Sequence, residues 1–128
     1  MRVLVCGGRN FRDFDLLSRT LVQVSPSVII DGGARGADWM ASSWALENRV
    51  RSITYRADWN AHGKAAGPIR NQRMLDEGRP DLVLAFPGGR GTDDIVRRAN
   101  AAGIKVARIS ADQSPRLKSF DDIREERR

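Results

Sequence analysis

The sequence LVLAFPGGRGT, residues 82–92, is an apolar run that stops at a glycine-rich loop carrying one arginine. A short apolar run of this kind is typical of a buried strand in a parallel sheet. The glycines let the backbone approach a ligand closely, and a helix that follows offers its free N–H groups to an anion. This stretch therefore predicts a strand, a phosphate-binding loop and a helix in succession.

The same pattern occurs twice more in the chain. The run VLVC (residues 3–6) leads into GGR (7–9), and VIID (28–31) leads into GGAR (32–35). Three glycine loops with three arginines predict a site for a phosphorylated ligand, most simply a nucleotide.

Predicted strands and helices alternate along the chain. The predicted strands are Arg2–Cys6, Ser27–Asp31, Ser52–Tyr55, Asp81–Phe86 and Lys105–Ile109. The predicted helices are Asp15–Val24, Gly36–Asn48, Pro68–Gly78 and Thr92–Ala102, and residues 56–67 form a longer connection. Alternation of this kind predicts an α/β, Rossmann-like three-layer domain whose five-stranded parallel sheet has the order 3-2-1-4-5. Ligands then bind where the order reverses, beside the loops after strands one and four.

Bulk properties limit the class of protein. The 128 residues carry a net charge of +6, and we expect one domain at 1–110 followed by a polar tail or short helix at 111–128. No apolar stretch approaches the ~20 residues of a membrane span, so we expect no membrane partner. The lone Cys6 excludes an intrachain disulfide, is expected to be a buried inert thiol, and favours a cytoplasmic location.

Four motifs in order resemble one family. They are GGRNF (7–11), GGARGAD (32–38), Trp59 with GKAAG (63–67), and RNQRM (70–74). Together with PGGRGT (87–92), they make the chain similar to the YspA-type proteins of the SLOG superfamily over about residues 1–109. The superfamily also contains the LOG phosphoribohydrolases and the Smf/DprA proteins.

The resemblance implies a Rossmann-like domain that binds a nucleotide or a nucleotide-derived ligand. Within the superfamily, the enzymatic LOG members use an arginine that precedes a methionine by four residues. Arg70 and Met74 match that spacing, whereas Ile95 stands where those enzymes have a glutamate. The catalytic residues are therefore unknown, with Arg70 and Asp94 as weak candidates.

Twelve residues are expected to contact the ligand, chiefly its phosphate. They are Gly7, Gly8, Arg9, Gly33, Arg35, Lys64, Arg70, Asn71, Gly88, Gly89, Gly91 and Thr92. No metal site is expected, because His62 is the only histidine. No cofactor is assigned with certainty; a nucleotide-derived ligand is expected.

Several of these residues have structural alternatives. Arg9 can pair with Asp13 instead of a ligand. Asp38 can contact a ligand, anchor a loop arginine, or act as a helix-start carboxylate that favours the dipole. Thr92 is expected to cap the last helix.

Alternatives also remain for the residues farther along the chain. Lys64 can be a solvated lysine. Arg70 can be an exposed helical residue, in which case its removal should barely alter stability. Trp59 can stack on a base or fill the core.

Three functions follow, in order of preference. The first is a sensor or sequestering module for a nucleotide or phosphorylated nucleoside derivative. The second is phosphoribohydrolase-like cleavage of an N-glycosidic bond, and the third is nucleic-acid binding, suggested by a pI near 10.6. Ligand identity and homo-oligomer formation are left open.

Overall fold

A computed structural model of the protein describes residues 1–110. Its strands are β1 (Arg2–Cys6), β2 (Val28–Asp31), β3 (Arg51–Thr54), β4 (Leu82–Ala85) and β5 (Lys105–Arg108). Its helices are α1 (Phe14–Val24), α2 (Ala37–Glu47), α3 (Trp59–His62), α4 (Ala66–Gly78) and α5 (Arg90–Ala101), with one 3₁₀ turn at Gly63–Ala65. The tail expected at 111–128 lies outside the described residues.

The five strands form one parallel sheet in the order β3-β2-β1-β4-β5, as the sequence predicts. The order reverses between β1 and β4, and the last residues of these two strands, Cys6 and Ala85, are paired. The loops that follow them therefore leave the sheet side by side.

Two apolar clusters cover the two faces of the sheet, because successive strand side chains point in opposite directions. On one face Val3 and Val5 pack with α1 and α2. On the other face Leu4 packs with Met74 of α4 and Ile95 of α5. The strands β1, β2 and β4 are almost wholly buried, whereas the edge strand β3 is largely exposed. This is the three-layer α/β architecture expected from the alternation of elements.

The structure corrects some predicted boundaries. Helix α4 begins at Ala66 rather than Pro68, since a proline in the first turn loses no intrahelical hydrogen bond. Residues 56–67 are not one irregular loop: they contain α3, where the Asp58 carboxylate accepts the Ala61 N–H at 3.0 Å, and the 3₁₀ turn. Among the helices of residues 1–110, none combines the length and hydropathy needed to cross a bilayer.

Candidate functional site

All three glycine loops open into one cleft of about 1840 Å³ at the carboxyl edge of the sheet. All twelve residues that the sequence nominates as ligand contacts line this cleft. The weak catalytic candidate Asp94 lies there as well. The structure thus brings the nominated residues together, although they come from four separate segments of the chain.

The loops after β1 and β4 touch through their backbones. The Gly8 N–H donates to the Pro87 carbonyl at 2.8 Å. A Cβ atom added at Gly88 would lie 2.7 Å from the Gly8 nitrogen and would overlap the Thr92 hydroxyl. The adjacency of these two loops, on which the predicted site depends, is confirmed.

The loop after β2 contacts the loop after β1 at Gly36, a residue that was not predicted from the sequence as part of the site. Gly36 has a φ of +81°, and a Cβ there would overlap the Gly8 carbonyl oxygen. Glycine is therefore required at position 36 both by conformation and by space. The three loops form one continuous backbone wall of the cleft.

Helix α5 aims its N-terminus into the cleft. Gly89 is the N-cap and carries no capping side chain, so the first N–H groups of the helix have no intrahelical acceptor. A Cβ at Gly89 or Gly91 would meet nothing within 4 Å, which leaves space for a ligand. An anion there would be stabilised by the unpaired N–H groups and by the helix dipole.

The predicted capping role of Thr92 is wrong. Helix α5 begins at Arg90, two residues before Thr92, and Thr92 lies buried in its first turn. The Thr92 hydroxyl lies close to Gly88, which packs that side chain against the loop, and the N-cap position is taken by Gly89.

Arg70 is half-buried rather than exposed. Its Nη1 donates to the Gly32 carbonyl at 2.6 Å, and its Nε donates to Asn71 Oδ1 at 2.9 Å. Burial lowers the pKa of Arg70 below its usual value, while the nearby carboxylates of Asp38 and Asp31 oppose the shift. The arginine therefore holds the loop after β2 against α4 and also lines the cleft.

Two buried carboxyl groups surround the same loop. Asp38 Oδ2 accepts the N–H groups of Gly32 at 2.8 Å and Ala34 at 3.4 Å. Asp31 accepts the Gly33 N–H at 2.8 Å and the Thr54 hydroxyl at 3.1 Å. Burial, reinforced by repulsion from Asp31, raises the pKa of Asp38 to about 7, and burial also raises the pKa of Asp31. Asp38 thus anchors the backbone of the loop.

Asn71 and Asp94 link α4 to α5. The buried amide of Asn71 donates to the Gly91 carbonyl at 3.3 Å and to Asp94 Oδ2 at 2.9 Å. Asp94 also accepts from Arg97 at 2.5 Å and from Arg98 at 2.8 Å. Burial raises the pKa of Asp94, but the hydrogen bonds from Arg98 and Asn71 outweigh it and the net pKa is lowered. Both side chains therefore have internal partners.

The cleft is strongly basic: eight cationic residues line it against four acidic ones, Asp13, Asp38, Asp93 and Asp94. Within the part of the chain that the structure describes, six of the cations make no side-chain hydrogen bond or ion pair: Arg9, Arg12, Arg35, Arg56, Lys64 and Arg90. The alternative pairing of Arg9 with Asp13 does not form, because the Asp13 carboxylate accepts the Leu16 N–H and caps α1.

Arg56, Trp39 and Trp59 are cleft residues that the sequence analysis missed or left undecided. Arg56 lies two residues after the end of β3, and the arginines after the other strands could have suggested it. Trp59 is 58% exposed, so the core interpretation of this residue is wrong. Its ring lies over Gly67 at the start of α4, where an added Cβ would lie 3.3 Å from Cη2.

Cys6, at the end of β1, is buried as expected. Burial raises the pKa of its thiol far above the usual value, and Sγ lies 3.7 Å from the Leu84 carbonyl. A thiol in this state is a poor nucleophile, which agrees with the inert role expected of it.

The fold and the site define a Rossmann-like α/β domain with glycine loops at the switch point of its sheet. The model of the "YspA, cpYpsA-related SLOG family" matches residues 1–62. The "Gene 61 protein" of Mycobacterium phage D29 is 43% identical over 118 residues, which cover 82% of this chain and 93% of that protein. The chain belongs to the YspA-related SLOG family.

A solved structure shares the fold at much lower sequence identity. DNA processing protein A (DprA) from Streptococcus pneumoniae superposes with a TM-score of 0.73 at 19% identity. The match covers 98% of this chain but only 56% of the DprA chain. The likeness supports the Rossmann-like architecture.

Proposed function

We propose that this domain binds a nucleotide or phosphorylated nucleoside derivative in its cleft and acts as a sensor or sequestering module. One observation carries the proposal: the loop that leads into the uncapped N-terminus of α5 contacts the glycine backbone of the loop after β1, at the switch point of the sheet. Family membership is consistent with a nucleotide- or nucleic-acid-related role.

The charge of the cleft supports the same proposal. Six cations that make no side-chain hydrogen bond or ion pair within residues 1–110 line the same cleft as the α5 N-terminus. Unpaired cations and free N–H groups both gain charge-assisted hydrogen bonds from a phosphate. Arg70 uses Nη1 to bind Gly32 and Nε to bind Asn71. Its third nitrogen, Nη2, is the one that we expect to donate to the phosphate or the sugar.

The hydrolase alternative has weaker support. Ile95 is 1% exposed and belongs to the apolar cluster on the sheet, so no carboxylate occupies that position. The neighbouring Asp94 has a lowered pKa and three hydrogen-bond donors. A carboxylate in that state is a poor proton donor for glycosidic cleavage.

Nucleic-acid binding is the second candidate function, because the basic cleft would also attract a phosphate backbone. The two functions differ in their salt dependence: a polymer that contacts several phosphates loses affinity steeply as salt rises. Fluorescence-anisotropy titrations of a DNA oligomer at several salt concentrations measure this slope.

Substitutions at Gly89 test the main proposal. An aspartate at the N-cap would bind the free N–H groups itself and repel a phosphate, while favouring the helix. We expect Gly89→Asp to lower nucleoside monophosphate affinity more than tenfold at unchanged or higher thermal stability. The matched control is Gly89→Ala, whose Cβ meets nothing within 4 Å and which should bind within about threefold of the wild type.

Calorimetry with the four ribonucleoside 5′-monophosphates measures these affinities. Mass spectrometry of small molecules released from freshly purified protein identifies the natural ligand. Equal affinities in the aspartate and alanine variants would show that the loop is only a turn and would contradict the proposal.

A further inference from the structure

Two tryptophans present large exposed surfaces inside the cleft. Trp39 is 53% exposed and Trp59 is 58% exposed, whereas Trp44 is 5% exposed in the core. Aromatic surface left in water at a concave site is available to bury a ligand of matching chemistry.

The indole of Trp39 is fixed by the loop after β2. Its Nε1–H donates to the Gly33 carbonyl at 3.2 Å, so one edge of the ring is held while the residue stays exposed. On the same glycine, a Cβ would lie 3.2 Å from the guanidinium Nη1 of Arg56. Trp39, Gly33 and Arg56 therefore form one stretch of wall with two planar side chains.

Trp59 contributes a second stretch of wall in the same cleft, at the start of α3. Its ring atom Cη2 lies 3.3 Å from the place a Cβ would take at Gly67. The ring thus rests on the backbone of α4. Two tryptophans and an arginine are the side chains on which flat heterocycles stack.

Trp39 and Arg56 stand apart from the anion site. Trp39 lies in the first turn of α2, which follows β2, and Arg56 lies after β3, whereas the α5 N-terminus follows β4. Since β1 separates β2 from β4, the two regions lie about two strand spacings apart, roughly 9.5 Å. A ligand with a phosphate at one end and a ring at the other would reach both.

We propose that Trp39 and Trp59 form a nucleobase subsite, which recognises the ring of a nucleotide whose phosphate occupies the α5 N-terminus. The inference rests on the proposed function and adds to it which side chains recognise the base. Stacking accepts any base, so this subsite selects nucleotides over sugar phosphates rather than one base over another.

The test compares a nucleotide with the same phosphate lacking its base. Calorimetry with AMP and with ribose 5-phosphate is carried out on the wild type, Trp39→Ala and Trp59→Ala. Stacking is worth about 1–3 kcal/mol per base, so each alanine variant should lose about 5- to 150-fold in AMP affinity. Affinity for ribose 5-phosphate should stay within twofold.

Conservative variants and a distant one serve as controls. Trp39→Phe and Trp59→Phe keep an aromatic face and should recover most of the AMP affinity. Leu46→Ala removes a side chain that is 83% exposed and outside the cleft lining, and it should leave both affinities unchanged. Circular dichroism confirms that every variant is folded.

The results of these titrations distinguish a failure of the nucleobase subsite from a failure of the proposed phosphate site. Unchanged AMP affinity in both alanine variants, or an equal loss for AMP and ribose 5-phosphate, would overturn the nucleobase subsite while leaving the phosphate site intact. Failure of all four ribonucleoside monophosphates to bind the wild type would overturn the proposed function itself, and the subsite with it.

One further titration distinguishes the source of the base. A single-stranded oligodeoxythymidylate presents the same base-and-phosphate chemistry as a free nucleotide. Loss of its binding in the tryptophan variants, together with a steep salt dependence, would assign the subsite to a polymer; tighter binding of AMP would assign it to a free nucleotide.

Discussion

Arg70 combines two roles that the sequence presents as alternatives. The guanidinium lines the cleft, yet it also donates to the Gly32 carbonyl at 2.6 Å. Because it is half-buried next to Asp38 and Asp31, its removal takes a donor from the Gly32 carbonyl and a cation from both carboxyl groups, of which Asp31 keeps Arg56 nearby. The expectation that removal of Arg70 barely changes stability assumes an exposed helical position, and the structure places Arg70 half-buried instead.

We expect Arg70→Ala to lower the free energy of unfolding by about 1–3 kcal/mol. Nucleotide affinity should fall roughly ten- to a hundredfold, and Arg70→Lys should recover only part of it because an ammonium cannot copy the fork of donors. Urea unfolding and calorimetry on the same preparations measure the two effects. Unaltered affinity with a large loss of stability would make Arg70 a structural residue alone.

Asp38 makes stability depend on pH. Its pKa is about 7 in the folded protein against 3.8 for the free side chain, so the folded state binds this proton more tightly than the unfolded state. Stability should therefore fall as pH rises from about 4 to 7, and the buried Asp31 should contribute in the same direction.

The measurement compares two pH profiles of unfolding. Asp38→Asn keeps an oxygen that can accept the Gly32 N–H but cannot ionise. Its free energy of unfolding should fall less over this pH range than that of the wild type. Parallel profiles in wild type and variant would show that Asp38 is not the titrating group.

At the level of the elements, glycines lie at the starts of α2 and α5, and their surroundings differ. Gly36, just before α2, needs its positive φ and the space beside the Gly8 carbonyl. Gly91, in the first turn of α5, needs neither, because a Cβ there meets nothing within 4 Å. The two glycines are thus placed for different reasons.

Alanine substitutions separate these reasons. Gly36→Ala should lower the free energy of unfolding by about 2–4 kcal/mol, since backbone strain and a steric overlap add. Gly91→Ala should be neutral or stabilising by up to about 1 kcal/mol, because alanine favours a helix. Chemical denaturation measures both, and similar losses in the two variants would argue against the packing of the loop after β2 on the loop after β1.

On the scale of the whole molecule, residues 1–110 form a basic cleft in which apolar Ile95 stands where the enzymatic LOG members have a glutamate. Ile95 is buried, and Asp94 is held by Asn71, Arg97 and Arg98. We therefore expect incubation with nucleoside 5′-monophosphates to release no base above the uncatalysed background, as measured by liquid chromatography. Robust release that disappears in Asp94→Asn would instead establish an N-glycosidic hydrolase.

The sequence alone determines the architecture and the edge of the sheet at which the site lies. Apolar runs, helical spacing and glycine loops are local signals, and the rules of parallel sheets convert them into the strand order that the structure confirms. The same signals predict the cleft residues of the three glycine loops, because a loop at the carboxyl end of a strand can lie only at that edge of the sheet. Arg70 and Asn71, which lie on α4, are predicted from the family resemblance instead.

Only the tertiary structure decides what each polar side chain does there. Arg70 meets the Gly32 carbonyl 38 positions away, and Asn71 meets Asp94 23 positions away. Such pairings depend on how α4 packs against its neighbours, and no local periodicity encodes them. The exposure of Trp59 is decided in the same way, because its place over Gly67 follows from the docking of α3 on α4 rather than from its hydrophobicity.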